Sequence, residues 1–176
     1  MSWFNRPARI GSVGCLLFAA GLGACGFEPL YTKNDQRDVA IAQELAAVDV
    51  TRIDDPLGVE LRNQILGNLA PSNADTPSRY QLAIQLSHNK IPLITEKDSK
   101  ISRFDFVLIA RYELIAKESG AVLADGSVSS ATSYNIVEAA DFASLVAEQS
   151  AGKQAAREAS REIVTRISLY FDGAAS

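Results

Sequence analysis

The apolar positions of this chain follow three spacings, and each predicts a different kind of element. Residues Ile10 to Leu22 form an unbroken run of apolar and small residues behind a short segment that carries Arg6 and Arg9. Further along, Tyr80, Leu82, Ile84 and Leu86 alternate with Arg79, Gln81, Ala83 and Gln85, the period of a half-buried strand, and the pattern extends toward Ile94. A strand is predicted from about Ile101, with Phe104, Phe106, Leu108, Ala110, Tyr112 and Leu114 on one face and Arg103, Asp105, Arg111 and Glu113 on the other. Val107 and Ile109 on that second face predict partial cover there. The turn Lys117-Glu118-Ser119-Gly120 then leads into a strand over Val122 to Glu138, paired with its predecessor as a hairpin.

The third spacing is helical. Leu57, Leu61, Ile65 and Leu69 recur every four residues over 56–70, opened by Asp54-Asp55-Pro56, an acid cap before a proline at the first helical position, and stopped by Pro71. From Ala139 to Phe171 the chain has no proline and many strong helix formers, and Phe142, Leu145, Val146, Gln149, Ala156, Ala159, Ile163, Ile167, Tyr170 and Phe171 track one stripe. Such a helix is roughly 45 Å long, with Gly152 a candidate bend. A short first strand is expected within Leu45 to Ile53, while Thr32 to Asp38 and Pro71 to Ser78 read as tether and loop. The order β-α-β-β-β-α predicts an α/β (α+β) two-layer sandwich: a four-stranded, mostly antiparallel or mixed sheet with two helices on one face. The chain divides into a leader over 1–24, a tether over 25–38 and one α/β domain over 39–176.

The leader has the three parts of an export signal: a basic start, an apolar middle and a small-residue end, Gly23-Ala24, before Cys25. The apolar run is too short, and too often broken by glycine, to cross a bilayer as a helix, which takes roughly 20 apolar residues. Leu22-Gly23-Ala24-Cys25 resembles the bacterial lipobox, which implies that Cys25 takes a diacylglycerol thioether and becomes the first residue of the mature protein. Two or more acyl chains, palmitate among them, hold a protein stably on a membrane. Cys15 lacks the aliphatic residue three positions earlier.

Charge and chemistry narrow the function. The chain carries a net charge of −4, and the leader removes Arg6 and Arg9 but no acid, so the mature domain is more acidic still and does not suit nucleic acid. With Cys15 in the leader and Cys25 at its end, no disulfide is available to the domain. The single histidine, His88, ends a strand pattern and reads as a solvated turn residue; Cys and His are too few for a zinc site, and no phosphate-binding glycine loop is present. No catalytic residue, metal or cofactor is expected. The segment Glu96-Lys97-Asp98-Ser99-Lys100-Ile101-Ser102-Arg103, with Lys90 before it, offers Lys90, Lys97, Lys100 and Arg103 as candidate contacts for phosphate or carboxylate groups.

The opening Cys25-Gly26-Phe27-Glu28-Pro29-Leu30-Tyr31 is similar to the start of the mature LPS-assembly lipoproteins of the LptE family, in their alphaproteobacterial form. The likeness continues in the order of elements and in the segment Ala110-Arg111-Tyr112-Glu113-Leu114. The resemblance implies a lipoprotein on the periplasmic side of the outer membrane that forms a plug complex with the LptD β-barrel and assists assembly of lipopolysaccharide into the outer leaflet. In that setting Lys97, Lys100, Arg103 and Lys90 are candidate contacts for lipopolysaccharide or for acids of the barrel. The alternative is a generic periplasm-facing lipoprotein that binds a small ligand or serves an inner-membrane transport complex.

Overall fold

A computed structural model describes residues 35–69, 77–94, 101–137 and 141–174. The expected leader, the Cys25 anchor, Lys97 and Lys100 lie outside the described residues. The elements are α1 (Asp35–Ala46), β1 (Val48–Val50), α2 (Pro56–Asn68), β2 (Tyr80–Ile94), β3 (Ile101–Ala116), β4 (Val122–Val137) and α3 (Asp141–Ala174). Strand order is β1-β2-β3-β4. β1 runs parallel to β2, whereas β2–β3 and β3–β4 are antiparallel. This is the mixed four-stranded sheet with α2 and α3 packed on one face that the patterning predicts.

Periodicity explains the core. Leu82, Ile84, Phe106, Leu108, Ala110, Tyr112, Leu114 and Val128 share one face of the sheet and are buried. They meet Leu61 and Ile65 of α2 and Ile163 and Ile167 of α3, none of which is exposed at all. Each such aliphatic side chain contributes roughly 1.5–3 kcal/mol on burial. Asp55 caps α2 as predicted, its Oδ1 accepting from Leu57 N at 2.7 Å and Gly58 N at 3.1 Å. Gly58 is buried, and a Cβ there would lie 2.4 Å from Ile53 Cγ2, so the start of α2 presses directly on the chain that enters it.

Several expectations change. α1 is a helix more than the pattern predicts, beginning inside the stretch read as tether. Its apolar residues form no continuous stripe, and Val39 is exposed; only Leu45 is buried. α1 is held by Leu45 in the core, with Ile41 packed against it, and by polar ties: Arg37 Nε to Asp172 at 2.6 Å, and Glu44, which accepts from Arg79 Nη2 at 2.7 Å and from the Tyr80 hydroxyl at 2.8 Å. α1 takes Leu45, so β1 shrinks to three residues. Burial pushes the Glu44 carboxyl up, but the hydrogen bonds from Arg79 and Tyr80, with the charge of Arg79, outweigh it and hold Glu44 below its ordinary value. His88 lies within β2, not in a turn, and stacks on Phe106 with ring centroids 5.3 Å apart. Gly152 sits inside one helix as a point of close approach: a Cβ there would be 3.1 Å from Leu57 Cδ1 and 3.3 Å from Phe106 Cζ. The first part of the predicted stripe is not core, since Phe142 is 80% exposed and Leu145 and Val146 are exposed beside it.

Two outcomes test this account. Gly58→Ala lowers the stability read from a urea midpoint by about 1–3 kcal/mol, the range for overpacking, while Gly67→Ala, whose Cβ meets nothing within 4 Å, leaves it unchanged or raises it by up to about 1 kcal/mol. Glu44, lowered in the folded state, gives stability that is present above its unfolded value, about 4.3, and is lost as pH falls through the folded one. In pH-dependent denaturation the advantage of the wild type over Glu44→Gln therefore disappears across that acid limb and persists at neutral pH.

Candidate functional site

The second face of the sheet carries no helix among the described residues. On β4 it presents Ser127, Ser129, Ala131 and Ser133, all exposed, and on β2 Gln85, Ser87 and Asn89. In the middle strand Ile109 is 38% exposed, so the cover predicted over Val107 and Ile109 does not come from any described element. These positions face outward because their partners at even positions point into the core. Register fixes which of them are neighbours: Gln85 pairs with Arg111, and Arg111 with Ser127. A concavity of 460 Å³ opens there, lined by Ala83, Gln85, Arg111, Glu113, Asp125 and Ser127. On the helix side of the same register, Gly126 opposes Tyr112, and a Cβ at Gly126 would lie 2.8 Å from the Tyr112 hydroxyl oxygen. The face offers amides, hydroxyls and charges of both signs, suited to polar docking and not to enclosing a small apolar ligand.

The predicted basic residues that are described stand on opposite faces. Lys90 points to the helix side, pairing with Phe106 in register and forming an ion pair with Glu148 of α3 at 2.5 Å. Arg103 is exposed on the open face, opposite Asn135 of β4. Sequence spacing placed the two in one charged segment; the strand pleat separates them. The hydrogen bond to Glu148 holds the Lys90 ammonium above its ordinary value, against a smaller opposing effect of burial. Glu148 also accepts weakly from the Tyr134 hydroxyl at 3.4 Å.

A smaller hollow of 200 Å³ lies beside this pair, between the start of α2 and α3, lined by Asp55, Leu57, His88, Phe106, Glu148 and Gly152. Sequence reasoning did not bring these residues together, since they come from four separate elements or turns, and no local signal pointed to the meeting. Asp55 there is committed to capping α2. Among the described residues no group of three or more His, Cys, Asp or Glu could hold a metal ion. No described helix is long and apolar enough to cross a membrane.

The helix-backed sheet is similar in fold to solved structures of bacterial lipoproteins. A candidate lipoprotein from Caulobacter crescentus CB15 superposes with a TM-score of 0.63 at 19% identity, over 77% of this chain and 98% of that one. Uncharacterized lipoprotein B from Nitrosomonas europaea gives 0.53 at 16% identity, over 70% of this chain and 81% of that one. No family model matches the chain. The uncharacterized protein RP188 of Rickettsia prowazekii is 31% identical over 150 residues, 85% of this chain and 90% of that one, and the chain belongs to its family.

The Lys90–Glu148 pair has a pH signature. A lysine raised on folding gives stability that is fully present below its unfolded value, about 10.4, and is lost as pH rises through the folded one. Denaturation curves of wild type and Lys90→Met therefore differ at neutral pH and converge on that alkaline limb.

Proposed function

We propose that the chain is an outer-membrane lipoprotein of the LptE type, which forms a plug complex with the LptD β-barrel and assists assembly of lipopolysaccharide into the outer leaflet. The observation that carries the reading is the open sheet face, polar and rich in small side chains, on a domain that follows a lipobox. The lumen of a large outer-membrane barrel is polar, so a plug needs a hydrogen-bonding surface where an ordinary two-layer domain has solvent. The dimensions suit this: β3 has 16 residues, and an extended strand of that length spans about 50 Å, more than the apolar band of roughly 25 Å on a barrel's outer wall. Anchoring falls to Cys25, whose acyl chains hold the domain at the periplasmic side while the sheet engages its partner.

In this reading Arg103 on the open face, with Lys97 and Lys100 in the segment between β2 and β3, meets lipid A phosphates or barrel carboxylates through charge-assisted hydrogen bonds. Lys90 contributes by way of its ion pair with Glu148. No step in the proposed role requires a nucleophile, a general base or a cofactor.

Purification of the tagged full chain in mild detergent recovers LptD, and radiolabelled palmitate enters the wild type but not Cys25→Ala. Recovery of inner-membrane components alone, or unimpaired lipopolysaccharide export on depletion of the protein, overturns the proposal.

A further inference from the structure

The sheet has two long edges, and they are treated differently. Thr51 N donates to Leu82 O at 3.0 Å, so even-numbered residues of β2 turn their main chain toward β1. β1 pairs only as far as Leu82, and from Ile84 onward no described strand pairs with that edge. It carries Lys90, Pro92 and a register shift between Pro92 and Ile94, the devices that discourage addition of another strand.

The β4 edge carries none of them between Ser127 and Asn135. Arg166 Nη1 donates to Ser127 O at 3.1 Å, so Ser127 turns its main chain away from β3, and by alternation so do Ser129, Ala131, Ser133 and Asn135. From Ser127 to Asn135 there is no proline, no charged residue and no register shift, the irregularity of the β3–β4 pair lying at Leu114/Ile115. A groove of 340 Å³ runs beside this edge, between Ser129 and Ala131 on the strand and Glu158, Glu162 and Arg166 on α3. Glu162 is paired with Arg166 at 2.8 Å. Among the described residues Glu158 accepts from neutral groups alone, Ser130 Oγ at 2.9 Å and Gln154 Nε2 at 3.3 Å. The Thr132 hydroxyl oxygen, also on the helix side of β4, is buried without a hydrogen-bond partner among the described residues.

We infer that the β4 edge is a strand-addition site for an extended segment of a partner protein bearing a Lys or Arg on the side that faces α3. An edge strand flanked by a helix is a recurrent way to receive such a segment. The main-chain groups of Ser129, Ala131 and Ser133 bond the incoming strand, whose alternate side chains enter the groove and place a cation beside the Glu158 carboxylate, which no described cation neutralises. On the open face, the small side chains of Ser129, Ala131 and Ser133 impose little steric selection. A second copy of this chain fits worse, because pairing β4 with itself brings one acidic groove against another. The inference is independent of the anchor and of the barrel reading.

The test adds a blocked heptapeptide alternating Thr and Lys to the isotopically labelled full chain and follows amide resonances and their exchange. The expected result is saturable shifts and slowed exchange at Ser129, Ala131 and Ser133, with affinity about tenfold lower when Glu replaces Lys in the peptide. Ala131→Pro removes an outward amide at a position where an edge strand tolerates proline, and weakens binding at least about tenfold; Glu158→Gln weakens the Lys peptide but not an all-Thr peptide. If Ala131→Pro unfolds the chain, a peptide N-methylated at alternate amides serves instead, and it does not bind. Shifts confined to the open face, equal binding of the N-methylated peptide, or dimerisation that protects the same amides without peptide would overturn the assignment.

Discussion

The closeness with which α3 approaches both the sheet and α2 is the constraint on which this structure rests. Between Ala151 and Ser160 the buried face of α3 is made of Ala151, Gly152, Ala155, Ala156, Ala159 and Ser160. Leu57 of α2 and Phe106 of β3 both reach Gly152, where an added Cβ would lie 3.1 and 3.3 Å from them and press on both. The one polar group fully buried in this seam is satisfied, Ser160 Oγ accepting from Asn68 Nδ2 at 3.0 Å and donating to Arg157 O at 2.8 Å. Farther along, the seam widens into Ile163, Ile167 and Phe171, and Phe171 packs on Tyr80 with ring centroids 5.1 Å apart. Small residues set the distance, and large ones supply the apolar burial.

One consequence is that the domain folds with half its sheet. All the burial is gathered on the helix side, so the other face is released from the demands of packing and can hold serines, amides and charges without loss of stability. The same asymmetry shows at the margins. Phe142, Leu145 and Val146 extend the apolar stripe of α3 past the point where α2 supports it. β4, lying against α3 on its helix side, has an outer edge that no described strand pairs. Surface features of this kind have no role in holding the domain together, which is the physical ground for reading them as contacts with something else.

The sequence made the fold more legible than the site. Alternation in β2 and β3 and the Asp55-Pro56 start of α2 are local signals, governed by residues a few positions apart. α1 was missed because its helix depends on Glu44 meeting Arg79 and Tyr80 and on Arg37 meeting Asp172, partners far away in the chain. His88 was misplaced in a turn because a polar residue on the core side of a strand breaks the alternation; stacking on Phe106 accommodates it. Lys90 and Arg103 looked like parts of one basic cluster, but the pleat puts them on opposite faces, and Glu148, the partner of Lys90, was invisible at a separation of many residues.

By itself, then, the sequence determined the strands, both long helices and the Asp55 cap that opens α2, because backbone period and local hydrogen bonding need no distant partner. It also carried a leader that resembles an export signal and, at Cys25, a lipobox-like motif, both read as local chemical patterns. Tertiary structure alone decided which face no described helix covers, which edge no described strand pairs beside Glu158, and where α1 is tied. Those outcomes depend on strand order, register and the depth to which α3 can sink, quantities set by contacts between residues that the chain keeps far apart.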